Sequence, residues 1–140
     1  MEYKFDEFYI SDKKSLIQPN QVYKLLSKTY WAERRSREIV EKAIENSICF
    51  GLYKDEVMVG FARVITDHAT VYRLEDVVID ENYRGLGLGK ALIKFITEHE
   101  DFSSLIGVLE TRDAHRLYEQ FGFQTSKGFA MRKDPHRHAE

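Results

Sequence analysis

The residues best placed to do chemistry lie in one run, Val77-Val78-Ile79-Asp80-Glu81-Asn82-Tyr83-Arg84-Gly85-Leu86-Gly87-Leu88-Gly89-Lys90-Ala91-Leu92. An apolar, strand-like segment enters a turn with glycines at alternate positions and leaves it as an amphipathic helix. Glycine admits positive φ and close backbone approach. Successive N–H groups at the positive end of a helix form an anion site, and Arg84 adds a charge at its rim. The ligand this chemistry asks for carries a di- or triphosphate-like group. Of the phosphate motifs, the dinucleotide pattern G-x-G-x-x-G fails because Lys90 stands where its last glycine belongs. A P-loop fails twice, with Arg84 at its first glycine and Ala91 at its magnesium-binding hydroxyl. The pattern that fits is Arg-x-x-Gly-x-Gly, as Arg84, Gly87 and Gly89.

Further side chains could move protons or bind charge. Tyr118 carries a phenol with an ordinary pKa of about 10, on an apolar helical face where aromatics commonly pack. Glu75, Asp76, Glu110 and His115 could accept a proton, and among apolar neighbours a carboxyl pKa is open to being raised. Successive strand residues face opposite ways, so one of Glu75 and Asp76 reaches a given face, and a bulge would reverse which. Cys49, in the apolar run Ile48-Cys49-Phe50, reads as a buried inert thiol with no partner for catalysis. His and Cys show no metal-ligand spacing, so no metal is implied.

These groups need elements to hold them. Tyr3 to Ile10 reads as a strand. Gln18-Pro19-Asn20 opens a helix with Val22, Leu25 and Leu26 at helical spacing and Asn20 as its N-cap. A second helix runs from about Ser36 to Asn46. Ile48–Tyr53, a turn at Lys54-Asp55-Glu56, and Val57–Ile65 form a hairpin, and Val71–Ile79 is the next strand. A helix over Leu88–His99 follows, with Leu88, Leu92, Phe95, Ile96 and His99 on one side. Ser104–Leu109 is a short strand and Asp113–Phe121 a helix stopped by Gly122 at C′. Phe123–Arg132, broken at Gly128, supplies one or two closing strands. The order β-α-α-β-β-β-α-β-α-β predicts a mixed α/β fold in a single domain over 1–140.

The Arg84–Gly89 turn and its preceding strand resemble the coenzyme A motif of the GCN5-related N-acetyltransferase (GNAT) superfamily. Thr111-Arg112-Asp113-Ala114-His115-Arg116-Leu117-Tyr118-Glu119-Gln120-Phe121-Gly122-Phe123 is similar to its second signature, a short helix ending in Leu-Tyr-Glu-x-x-Gly-Phe. Element order matches that family from Ile48 onward. The resemblance implies a central twisted mixed sheet flanked by helices, the acyl-CoA N-acyltransferase fold. It also implies an enzyme that moves an acetyl group from acetyl-CoA to a primary amine of a small molecule or peptide, by direct attack in a ternary complex.

Carried over residue by residue, the resemblance has the backbone of Val77, Val78 and Ile79 pairing with pantetheine amides. Arg84, Gly85, Leu86, Gly87, Leu88, Gly89 and Lys90 would hold the pyrophosphate, with Asp113 and Leu117 near the coenzyme. Tyr118 occupies the family's general-acid position. Asp76 is the preferred base, because Asp76-Val77-Val78-Ile79 and the Gly60-Phe61-Ala62-Arg63-Val64-x-Thr66-Asp67 stretch are similar to a subgroup of small members. Glu75, Glu110 and His115 stand as alternatives. The asparagine that members often carry near the second helix is absent between Leu109 and Tyr118. Tyr30, Trp31, Arg34 and Arg35 fall in the segment that often walls the acceptor cleft. Arg63 and Arg73 could meet an anionic group on the acceptor. Relatives that pair through their last strands suggest Phe123–Arg132 for a homodimer contact.

Composition bounds the alternatives. At 140 residues, 43% hydrophobic and 31% charged, the chain has the profile of a soluble globular protein. A net charge of −2 argues against a general nucleic-acid binder, and no apolar run approaches the ~20 residues of a bilayer span. The N-terminus lacks signal-peptide character, and the single cysteine suits the reducing cytoplasm. The tail Pro135-His136-Arg137-His138-Ala139-Glu140 reads as frayed. Two other functions compete with the enzyme: an acyl-CoA sensor without turnover, and a nucleotide-binding loop.

Overall fold

Apolar residues at alternate positions, separated by tight turns, build a six-stranded sheet in the computed structural model, which describes residues 2–136. β1 (Glu2–Phe5) and β2 (Phe8–Ser11) form a hairpin where one strand over Tyr3–Ile10 is expected. The chain reverses at Asp6, whose φ of 53° is left-handed; aspartate tolerates that conformation better than most residues, and the pair Asp6-Glu7 makes a two-residue loop. α1 (Pro19–Leu26) begins with proline in its first turn and Gln18 at the N-cap, so Asn20 lies inside the helix rather than capping it. Proline's fixed φ suits that position, where no N–H bond is lost. α2 (Arg37–Glu45) is capped by the Ser36 hydroxyl, which accepts from the Ile39 N–H at 3.2 Å.

β3 (Ile48–Lys54), β4 (Val57–Thr66) and β5 (Val71–Ile79) are the long central strands. α3 (Leu88–Thr97) carries the chain over to β6 (Ile106–Val108), shorter than the expected Ser104–Leu109. Strand order in space is the order in sequence. Every neighbouring pair is antiparallel except β5 and β6, whose parallel pairing requires the helical crossover between them.

Both faces of the sheet are covered. On one, Val22, Leu25 and Leu26 of α1 and Val40 and Ile44 of α2 pack with Cys49, Tyr53, Met58, Phe61 and Val78. On the other, Phe50 meets Phe95 and Phe102 edge-on at 6.0 and 6.1 Å, and Tyr72 lies 5.4 Å from Phe102. Leu88, Leu92 and Ile96 are buried along α3 as their spacing predicts. Ile93 is buried with them, Phe95 is half-buried, and the helix ends at Thr97 rather than at the expected His99. Among the described residues no helix is long and apolar enough to cross a membrane.

The chain divides into two compact units, Met1–Glu110, which holds everything above, and Thr111–Glu140. The second contains α4 (His115–Glu119), shorter than the expected Asp113–Phe121. Gly122 at φ 91° ends it: the Phe123 N–H bonds the Tyr118 carbonyl and the Gly122 N–H that of Glu119, a Schellman stop. The closing strands expected over Phe123–Arg132 do not form. Gly128 turns with φ 83°, no ladder partner stands beside the segment among the described residues, and Phe129 and Met131 are exposed. A strand without a paired neighbour has no backbone bonds to hold it, so the dimer contact suggested for that stretch lacks its strand. Arg137, His138, Ala139 and Glu140, part of the tail expected to fray, lie outside the described residues.

Candidate functional site

Parallel pairing between β5 and β6 ends at Arg73↔Val108, while β5 runs on to Ile79. Beyond Arg73 one edge of β5 therefore has no partner among the described residues, and its N–H and C=O groups are open to an extended ligand. β5 then passes through a short 3-10 turn, Glu81–Tyr83, whose first N–H bonds are met by the Asp80 carboxylate accepting from Asn82 at 2.9 Å. The glycine turn follows. Gly85 and Gly87 have φ of 82° and 78°, and Gly87 is the N-cap of α3. A Cβ at either would touch nothing within 4 Å, so the left-handed backbone, not crowding, is what asks for glycine there.

Among the described residues, no N–H from Arg84 to Lys90 donates to a protein acceptor, and the first to be satisfied is Ala91, on the Gly87 carbonyl at 3.1 Å. Arg84, Gly85, Leu86, Gly87 and Lys90 are exposed, whereas Leu88 is buried as the helix anchor and Gly89 half-buried. A row of unmet donors at the head of a helix, with Arg84 and Lys90 beside it, fits a pyrophosphate in geometry and in charge. Val77 and Ile79 are half-buried and Val78 is buried against α1 and α2.

Asp76 precedes this edge in an irregular piece of sheet. Register between β4 and β5 slips between Phe61 and Arg63, and Asp76 adopts φ 54°. The bulge reverses side-chain parity: Tyr72 packs with Phe102 on one face, while Asp76, an even number of residues on, meets the α1–α2 connection on the other. Its carboxylate, 1% exposed, takes three donors: Trp31 Nε1 on Oδ1 at 3.0 Å, and Arg35 Nη1 and Arg63 Nε on Oδ2 at 2.7 and 2.6 Å. Burial pushes the Asp76 pKa up, but the Arg63 and Arg35 guanidiniums outweigh it and hold the carboxyl below the usual aspartate value. This corrects the expected raised pKa, because apolar neighbours in sequence did not reveal cations brought from elsewhere.

The other proposed groups are placed as follows. Arg63 also donates to Ser47 Oγ at 3.2 Å. Arg73 bonds Glu75 through Nε and Glu110 through Nη2, the latter at 2.6 Å. Both arginines expected to meet an anionic acceptor are thus paired within the chain. Cys49 is buried beside the Ile44 carbonyl, and burial raises its pKa, as an inert thiol requires. Tyr30 and Trp31 are exposed and meet edge to face at 5.1 Å. In the second unit, Asp113 and His115 are exposed and Leu117 and Tyr118 half-buried, with Tyr118 edge-on to Phe123 at 6.0 Å. The structure thus joins Asp76, Trp31, Arg35 and Arg63 in one cluster and Val77–Ile79 with the glycine turn in one strand-to-helix unit.

Comparison with known proteins accords with this geometry. The family model for an acetyltransferase (GNAT) domain matches residues 45–125. The N-acetyltransferase ycf52 of Pyropia yezoensis, itself uncharacterised, is 27% identical over 126 residues, covering 86% of this chain and 72% of that protein. A solved structure from Xanthomonas campestris pv. campestris, assigned to the GNAT family, is 35% identical with a TM-score of 0.86, covering 94% of this chain and 96% of that one. A GNAT acetyltransferase of Elizabethkingia anophelis, solved with acetyl-CoA bound, shares the fold at 15% identity and a TM-score of 0.68, over 87% and 79% of the two chains.

Proposed function

The chain belongs to the GNAT acetyltransferase family, and from that premise we propose that it acetylates a primary amine of a small molecule or peptide, with acetyl-CoA as donor, by direct attack in a ternary complex. The observation that carries this reading is the unpaired edge of β5 running straight into the row of unmet N–H donors from Arg84 to Lys90. When bound, acetyl-CoA supplies the acetyl thioester. The Val77–Ile79 edge would pair with its pantetheine amides, and the Arg84–Lys90 amides would hold its pyrophosphate. The backbone N–H of Val77, which by alternation along β5 faces away from β4, would donate to the carbonyl oxygen on which charge builds. Tyr118 would give its proton to the departing sulfur, with Asp113 and Leu117 beside the coenzyme.

Asp76 is a poor proton acceptor in this scheme. Both oxygens already accept bonds, and its guanidinium partners favour the charged form. Glu75 is similarly tied to Arg73. The amine's proton is better lost to water, with the amine entering as its neutral fraction. The acceptor would approach the Tyr30–Arg35 segment, whose exposed aromatic pair and Arg35 suit an amine carrying a carboxylate or a ring. The single unpaired thiol of Cys49 suits a cytoplasmic setting.

Calorimetric titration with acetyl-CoA, CoA and ATP, without added metal, tests the reading. Acetyl-CoA and CoA should bind at least roughly tenfold more tightly than ATP, a gap of about 1.4 kcal/mol. Thiol release across amino acids, amino sugars, polyamines and peptides should then find an acceptor, and Tyr118→Phe should lower kcat about 100-fold while CoA affinity holds. Binding of CoA with no thiol release from any amine would favour a sensor; preference for ATP would overturn the reading.

A further inference from the structure

Asp76 is left-handed in the middle of a strand, a conformation disfavoured for any residue with a Cβ and retained only when the surroundings enforce it. What surrounds it is specific. Trp31 and Arg35 come from the connection between α1 and α2, Arg63 from β4, and all three converge on one carboxylate that is 1% exposed. Glycine would satisfy the backbone at φ 54° more easily, and asparagine about as well; neither would supply a charge to two arginines. The bulge that Asp76 occupies immediately precedes Val77–Ile79.

The two arginines are not equivalent. Arg63 is 11% exposed and also bonds Ser47, so it is committed inward. Arg35 is 26% exposed and meets Asp76 through Nη1, beside the exposed Trp31 ring. With two guanidiniums on one carboxylate, the cluster carries an excess positive charge whose outer member is Arg35.

We propose that Asp76 is a positioning residue whose carboxylate locks the β5 bulge to the Trp31–Arg35 segment, so that the backbone facing the thioester and the side chains facing the acceptor are held as one piece. This rests on the acetyl-transfer reading above. It differs from a proton-accepting role, because Asp76 acts through Trp31, Arg35 and the backbone of Val77 and touches neither reactant. Misplacement of reacting groups by a fraction of a bond length lowers rate steeply while leaving remote binding contacts intact, and the pyrophosphate contacts at Arg84–Lys90 are such remote contacts.

The test uses the full chain and the best amine from the panel above. Asp76→Gly relieves the backbone and removes the clamp, and Asp76→Asn keeps an acceptor for Trp31 without the charge. Arg35→Gln removes the clamp's outer cation, so it is read on an amine without a carboxylate, to which the Arg35 charge makes no direct contact. Expected are a fall in kcat/KM for the amine of about 100-fold in Asp76→Gly and about 10-fold in the other two, with the Kd for CoA within about twofold of wild type. Asp76→Asn with Arg35→Gln together should lose no more than the worse single variant, as for two parts of one unit. Lowered melting temperature with unchanged kcat/KM per folded molecule, or single losses that multiply in the double variant, would overturn the inference. If Asp76→Gly does not fold, the Arg35→Gln and Asp76→Asn pair decides alone. A wild-type chain that turns over no amine would instead sink the acetyl-transfer reading, and this inference with it.

Discussion

At Asp76 burial and ion pairing pull in opposite directions on one carboxyl. Its pKa lies below the unfolded value, so its contribution to stability is fully present above about pH 5 and is lost as pH falls through the folded pKa. Asp76→Asn leaves Arg63 buried without its counter-charge, which costs roughly 3 kcal/mol. The difference in unfolding free energy between wild type and Asp76→Asn should therefore be constant from about pH 5 to 8 and shrink below about pH 4. Urea unfolding across that range measures it. A difference that instead grows as pH falls from neutrality toward about 4 would mean a raised pKa and restore Asp76 as a base. Each member of the cluster was visible in sequence as a candidate, but Asp76 lies 13, 41 and 45 positions from Arg63, Arg35 and Trp31. No local pattern couples residues so far apart, and only the packing of the α1–α2 connection over the sheet does so.

At the scale of elements, the first turn of α3 separates two uses of glycine. Gly87 is left-handed, so alanine there is strained by about 1 kcal/mol. Gly89 lies inside the helix, where an added Cβ would meet Ile79 Cγ1 at an ordinary 3.9 Å. Alanine at a helical glycine normally stabilises by about 1 kcal/mol. Gly89→Ala should therefore raise the melting temperature of the free protein while weakening CoA binding about tenfold or more, measured by calorimetry on the same sample. Higher stability with unchanged affinity would mean the glycine serves packing and the amide row holds no phosphate. The order strand, glycine turn, helix was legible beforehand, because elements adjoining in sequence also adjoin in space; the 3-10 turn at Glu81–Tyr83 and the helix end at Thr97 were not.

Over the whole molecule, protection should follow the ladder. β3 and β4 are paired on both sides for most of their length and β5 along its β4 side from Tyr72 to Ile79, whereas residues 123–132 pair with no strand among the described residues. Hydrogen exchange should be slowest in those central strands and fast in residues 123–136, and CoA should slow the amides of Arg84–Lys90 selectively. Protection at Phe123–Met131 equal to that of β4 would mean that this stretch is a strand after all. Its apolar residues made a strand the natural expectation; a strand exists only with a partner, and pairing is not a property of the segment itself.

The sequence by itself determined the mixed α/β fold, the positions of β3, β4 and β5 to within a residue, the start of α3, and the glycine turn between β5 and α3. Each of these depends on neighbours within a few positions, through apolar periodicity, turn chemistry and the conformational freedom of glycine. Tertiary structure alone decided the hairpin of β1 and β2, the early end of the β5–β6 pairing, and the direction of the Asp76 pKa. Those outcomes depend on which distant backbone supplies a hydrogen-bond partner and which distant cation supplies a charge. Such contacts arise only when the chain closes on itself.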